Sequence, residues 1–479
     1  MQTLVGAANY NYLTSIFVNL GVFLVAVAIA IIVVRAIKIE QKGYKLLFVL
    51  YILFWIPLML LRQYTGNVSM AISGKAGWVW MIPMCAYGFI GIFTRIFADW
   101  FSYQRHSRKQ MIYLALIIQF VTFIPFIAYP CLTTNILQSI GVGVGASCIG
   151  TYQLLFNEQY GKSRSFLTVS ILSIPPLLAD FISSAIQSIV RTAGISMKAS
   201  ETDIPAFQIM WGIGLAIVVV TFILAFFMKE NVGLMYKDQK QKQPINTKNE
   251  WVYFVWIAIL GSLITFIKFA NSGAIAQLHI EVLANHAAGM DLPDWGKADS
   301  VVVQVRYYES YLSLLFSFGQ LIGGLITGLI LINKIGKMWT FTIGCVVWIA
   351  YEGLGTLILN PYGYLGIHIL NGFAYGIVYN LILGFILQKT FKTHKQSPMG
   401  VYQSVLSIGI MCSTLFTTWM KNGPLTEKNY DAYFRAADII NWVVIGSIVL
   451  AWLVFMYTWQ VERWQYKQLW WHKKNINVN

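Results

Sequence analysis

The sequence predicts an all-α membrane protein: two six-helix bundles preceded by one additional N-terminal transmembrane helix. Three observations carry that reading. Of 479 residues, 57% are hydrophobic and only 11% are charged, with a mean hydropathy of +0.62, whereas a soluble protein carries about 25% charged residues. The apolar residues gather into runs close to the ~20 residues that cross a hydrocarbon core. The basic residues collect in the short segments between alternate runs.

In chain order the runs lie near 13–35, 44–66, 78–99, 111–129, 135–157, 165–190 and 207–228, then 251–271, 308–332, 338–359, 363–388, 400–420 and 438–459. The first has no basic segment before it and is long enough to span, so it reads as a retained helix rather than a signal peptide. KENVGLMYKDQKQKQPINTKNE (229–250) is the longest polar insert on its side and separates six runs from six. The expected organisation is an extra helix (1–43), a first bundle (44–228), a linker (229–250), a second bundle (251–460) and a basic tail (461–479). In the long segment 272–307, IAQLHIEVL (275–283) reads as a short surface helix and DLPDWG (291–296) as a turn.

Basic residues mark the inner side of a membrane protein. Placing 36–43 inside also places 100–110, 158–164, 229–250, 333–337, 389–397 and the tail inside, and these segments are rich in Lys and Arg. The opposite loops are uncharged or mixed in sign. The expectation is a multi-pass plasma-membrane protein with its N-terminus outside and its C-terminus in the cytoplasm. The net charge of +15 is divided among separate loops, which argues against nucleic acid and for anionic membrane lipid as the partner. The five cysteines have no metal-type spacing, so neither a metal site nor a cofactor is expected. Asn67-Val68-Ser69 is a glycosylation triplet in an outer loop.

Ionisable residues deep in a span face a cavity or a partner. Asp180 and Glu352 both fall near the middle of their runs and are candidates for proton coupling or for holding a cationic group. Arg62, Lys268, Arg306 and Glu309 lie nearer outer ends, where a long cation can snorkel to the interface, the expected behaviour of Lys268. If Arg62 and Lys268 both turn inward, they form a positive mouth for an anion. Asn371, Tyr375 and Tyr379 share one helix face by their four-residue spacing, and Gln138 and Gln153 bracket a glycine-rich centre. These polar positions suit either a polar-solute cavity or interhelical hydrogen bonds. Gly319, Gly323, Gly324 and Gly328 suit close helix packing. Pro175-Pro176 predicts a kink.

The stretch RIFADWFSYQRHSRK (95–109) places Arg95, Asp99, Arg105, Arg108 and Lys109 between two spans. With the six-plus-six division, it resembles the loop between the second and third core helices of the major facilitator superfamily, G-x-x-x-D-(R/K)-x-G-(R/K)-(R/K). Arg95 stands in place of the first glycine, Trp100 in place of the basic residue after the aspartate, and Ser102 in place of the second glycine. The second half offers GQLIGGLITGLILINKIGK (319–337), where Gly319 and Gly328 keep the spacing and Asn333, Lys334 and Lys337 follow. The resemblance spans roughly 44–460. It implies two bundles related by pseudo-twofold symmetry and a cavity lined by the first, fourth, seventh and tenth core helices. It also implies an inner gate in which Asp99 meets the start of the eleventh core helix near Pro398.

The resemblance further implies a secondary transporter, that is, a permease or symporter for a small polar or anionic solute, working as a monomer by alternating access with protons or another ion as coupling species. Export of an amphipathic drug or lipid and a non-transporting sensor are the alternatives. The glycine-proline pattern typical of drug antiporters is missing from 165–190. No G-x-x-x-x-G-K-(S/T) is present to bind ATP, and no convergent catalytic set marks an enzyme.

Overall fold

The computed structural model describes most of residues 42–476. Most positions before 42 and most of 63–80 lie outside the described residues, as do 106, 161–164, 197–203, 231–246, 272–273, 288, 290–298, 391–397, 423–429 and 477–479. The extra span at 13–35, the turn at 291–296 and most of the linker 229–250 therefore fall largely outside the description.

Backbone groups have no water to bond in lipid, so the chain satisfies them within helices. None of the described residues forms a strand. The first six long helices are α1 (Lys42–Arg62), α2 (Met81–Gln104), α3 (Arg108–Ala128), α4 (Leu132–Tyr160), α5 (Ser165–Ser196) and α6 (Ile204–Ala225). Then come α7 (Thr247–Asn271), the shorter α8 (Ala274–Ala287), α9 (Asp299–Ile326), α10 (Gly336–Leu357), α11 (Pro361–Thr390), α12 (Pro398–Asn422) and α13 (Tyr430–Ile476). Nine stretches among the described residues are long and apolar enough to cross a membrane.

Two of these elements depart from expectation. The segment around 275–283 is helical but not on the surface: Ile280, Val282 and Leu283 are fully shielded, and α8 packs on α7, α9, α11 and α12. Its apolar residues recur too often around the helix for one face to be left wet. The last helix runs unbroken through Ile476 over 47 residues, about 70 Å at 1.5 Å per residue. That is more than twice the hydrocarbon thickness, so most of the basic tail continues the helix. The helix α5 carries Pro175 and Pro176, where the kink is expected, inside one assigned helix.

Helix contacts repeat from one half to the other. In the first half α1 packs on α5 and α6, α3 on α6, and α4 on both α2 and α3. In the second half α7 packs on α12 and α13, α10 on α13, and α11 on both α9 and α10. The α9–α11 contact is closest, because glycines face backbone on both sides. A Cβ on Gly319 or Gly323 would lie 2.2–2.3 Å from the carbonyl oxygens of Ile369 and Phe373, and one on Gly372 or Gly376 would lie 2.0–2.4 Å from those of Phe316 and Gln320. No larger residue fits there.

The halves meet mainly through two helix pairs, α2 with α12 and α5 with α9, with α5 also touching α11 and α4 touching α12. Along the first pair, Gly88 faces Met411, Gly91 faces Ser407, Arg95 faces Gln403 and Asp99 faces Gly400. Along the second, Phe181 lies 6.2 Å from Phe318 by ring centroids, and the hydroxyls of Ser184 and Ser313 are 3.0 Å apart.

The start of α3 and the end of α6 are fixed by local capping. Ser107 is the extended N-cap of α3 and accepts from the Gln110 N–H, one of the donors that a helix start leaves unsatisfied. Its hydroxyl donates to Glu230 at 2.8 Å, and the Arg108 N–H donates to the same carboxylate. Lys109 donates to the carbonyls of Phe226 and Met228 at 3.0 and 2.8 Å, so the ends of α3 and α6 cap each other. In the second half, Gly336 takes φ +82°, a left-handed backbone that turns the chain into α10 and suits glycine.

Candidate functional site

Asp180 lies about midway along α5, is 9% exposed, and its Oδ1 has no hydrogen-bond partner among the described residues. Trp55 of α1 faces it, and Lys268 and Arg62 lie within its electrostatic reach. Lys268 comes from α7, on the other half. Its Nζ sits 4.3 Å from the ring centroid of Tyr375, 5.6 Å from Phe316 and 5.7 Å from Phe269. The Arg62 guanidinium, at the end of α1, lies 4.7 Å from that same Phe269 ring and 5.7 Å from Tyr87.

The snorkelling expected of Lys268 is therefore corrected. Its side chain is 9% exposed and points into an aromatic enclosure beside a carboxylate. A desolvated cation–π contact is worth ~2 kcal/mol, and three rings with an anion offset a burial that lipid alone would oppose. Two cations, Arg62 and Lys268, therefore lie within electrostatic reach of one buried carboxylate.

A second layer lies beside this trio, toward Arg95 and the start of α12. Tyr375 stacks on Tyr379 at 5.2 Å. Gln153 of α4 interacts with Tyr379 and Tyr51 and accepts from Gln403 Nε2 of α12 at 3.4 Å. Arg95 donates through Nη1 to the Gln403 carbonyl and is 5% exposed, so it belongs to the buried face of α2 rather than to a loop. Asp99, one turn on, lies against Gly400 at the start of α12.

The remaining candidates sit elsewhere. Gln138 donates to Asn135 Oδ1 at 2.8 Å, and Asn135 in turn to Ser69 at 2.8 Å, a buried network inside the first half. Asn371 accepts from Trp348 at 2.8 Å and donates to the Asn271 carbonyl at 3.0 Å; its amide ties helices and does not line the centre. Glu352 is 2% exposed and accepts from the Asn271 side chain, five residues from the C-terminal end of α10, so it lies in the last third of its helix rather than at the middle. Arg108 and Lys109 serve the α3–α6 caps. Arg105 is exposed beside Phe101, Lys334 is exposed, and Asn333 reaches the Gly328 carbonyl at 3.5 Å. Lys337 lies over Phe385 and Trp459 at 4.6 and 5.8 Å, joining α10, α11 and α13. Of the residues expected at the gate, Arg95 and Asp99 are the ones described against the opposite half. The side chains of Arg306 and Glu309 fall outside the described residues.

Sequence reasoning missed Trp55, Phe269, Phe316 and Gln403. Aromatic residues make up 15% of the chain, so three of these carried no distinguishing signal. Gln403 had one: it lies a turn beyond Gly400.

No family model and no curated protein matches the chain. Solved structures do. The human organic anion transporter MFSD10 (TETRAN) aligns with a TM-score of 0.58 at 9% identity, covering 86% of this chain and 99% of that one. A bacterial homologue of the iron transporter ferroportin in its outward-facing state aligns with a TM-score of 0.60 at 11% identity, covering 88% and 100%. The same homologue soaked with iron gives 0.59 at 11% identity, covering 87% and 99%. The chain has the major facilitator fold and is a multi-pass membrane protein.

Proposed function

We propose that this chain, folded as a major facilitator transporter, is a secondary transporter of a small organic anion. The observation that carries the reading is the central trio: Arg62 from one half and Lys268 from the other flank the Phe269 ring, with Asp180 as their shared counter-charge. An anion entering between them would meet a cation from each half and so touch both halves at once. A ligand that contacts both halves can bias their relative position, as alternating access around a midplane site requires. The repeated helix contacts support a pseudo-twofold relation between bundles 44–228 and 251–460, and the α2–α12 and α5–α9 pairs are the surfaces on which they would rock. Asp180 serves as the central coupling candidate, since its carboxylate can take up a proton when the anion engages the cations. One structural neighbour, MFSD10, is an organic anion transporter, which agrees with the charge of the site without identifying the solute.

The test is thermal stabilisation of the purified protein by mono- and dicarboxylates, organophosphates and sulfonates, each beside a neutral analogue of the same size. The anions are expected to raise Tm and the neutral analogues to leave it unchanged, with the response lost in Lys268→Gln. Stabilisation by neutral sugars or cations instead, undiminished in Lys268→Gln, would contradict the reading.

A further inference from the structure

A second pocket lies outside the central site, within the second half. It is lined by Asn271, His279, Tyr351, Glu352, Tyr364 and Asn441, among others. Glu352 contributes a carboxylate that takes one hydrogen bond, from Asn271, and no Lys or Arg among the described residues pairs with it. A buried carboxylate without a cation is costly in lipid. The helix α7 ends here, at Asn271, and the C-terminal end of a helix carries partial negative charge on its last carbonyls. Both features call for positive charge.

The donor types narrow the ligand. Among the described residues no three His, Cys, Asp or Glu side chains gather as a transition-metal site would need. The pocket offers oxygen: the Glu352 carboxylate, the amides of Asn271 and Asn441, and the hydroxyls of Tyr351 and Tyr364. Those hydroxyls are 3.1 Å apart, and Tyr351 is also held by His368 Nδ1 at 3.0 Å. Oxygen donors suit hard cations. A single carboxylate balances one positive charge, so a divalent ion would leave the pocket charged while an alkali cation would leave it neutral. Helix ends and carbonyls at such breaks are known ways for transporters to hold sodium.

We propose that this pocket binds one sodium-sized alkali cation and is a second coupling site, apart from the proton-coupling role given to Asp180. Its coupling role rests on the central anion site; the binding itself does not. The two places share helices. Asn271 is less than one turn beyond Lys268, and its carbonyl accepts from Asn371, which lies one turn before Tyr375, the ring under the Lys268 ammonium. A cation drawing in Glu352 and Asn271 would therefore act on both side chains that hold the second-half wall of the anion site.

The experiment measures radioactive sodium binding to the purified full chain in choline buffer with no organic anion present. The expected result is saturable binding, competed by unlabelled sodium, with affinity lowered about tenfold or more in Glu352→Gln and weakened in Asn441→Ala at the pocket's edge. Absence of saturable binding in the wild-type protein overturns the proposal whatever the variants do. So does binding that is unchanged in both variants, or a wild-type response to pH but not to sodium, which would mean that Glu352 holds a proton. Anion stabilisation is read separately: sodium binding without any anion response would remove the central-site reading and leave this one standing.

Discussion

Asp99 of α2 lies against Gly400 of α12, so near that a Cβ on the glycine would sit 2.9 Å from the aspartate Cβ and 3.1 Å from its Oδ2. Gly400 is in the first turn of its helix, where unsatisfied N–H groups and the helix dipole favour a carboxylate by roughly 0.3–1 kcal/mol. A contact of that size can hold an inner gate closed and still break in each cycle. Asp99→Asn is expected to slow transport by about two- to fivefold, the rate equivalent of that energy, with solute affinity nearly unchanged. Gly400→Val, which forces the two helices apart, should slow it further. Full transport in both variants would show that this contact is not a gate.

The α9–α11 glycines make a sharper structural prediction, because a control lies on the same helix. A methyl on Gly372 would collide with the Phe316 carbonyl at 2.0 Å, whereas one on Gly366 meets nothing within 4 Å. Gly372→Ala is expected to destabilise the protein by at least the ~1–3 kcal/mol typical of overpacking, and Gly366→Ala to leave the melting temperature where it is or raise it slightly. Thermal melts of the two variants side by side check this; equal melting temperatures would contradict the packing described.

Orientation can be read from Cys131, which precedes α4 in the loop after α3. The Thr134 hydroxyl lies 3.5 Å from its sulfur, and hydrogen bonding there holds the thiol below its ordinary range. A lowered thiol carries more thiolate at a given pH, so labelling persists to lower pH than for an unassisted cysteine. A membrane-impermeant maleimide should label Cys131 on intact cells, and Thr134→Val should shift the labelling profile toward higher pH. Labelling that requires permeabilised cells would invert the proposed topology.

The helices were legible because lipid leaves the backbone one local solution, and apolar length reports it directly. The predicted runs 165–190 and 363–388, for example, appear as Ser165–Ser196 and Pro361–Thr390. Hydropathy reports depth along a helix but not azimuth. Lys268 therefore read as a snorkelling cation, when its direction is set by Tyr375, Phe316 and Phe269, one of them adjacent in sequence and the others more than 45 residues away. Asn371 and Tyr375 illustrate the same limit. Their spacing puts them on one face, but only the packed neighbours decide that Asn371 bonds to α7 and α10 while Tyr375 faces the centre. Lys109 read as part of a gate because it is a cation in the right loop, and the carbonyls that hold it belong to the end of α6 and the residues just after it, more than 110 residues away.

Counterflow in proteoliposomes tests the central account most directly. Vesicles preloaded with an organic anion that stabilises the protein should accumulate the labelled anion above equilibrium in wild type, and Lys268→Gln should lose that accumulation by about tenfold or more, the cost of removing one buried charge contact. Wild-type vesicles that show no accumulation of any stabilising anion, or Lys268→Gln vesicles that accumulate it as wild type does, would contradict a transporter built around Arg62, Asp180 and Lys268.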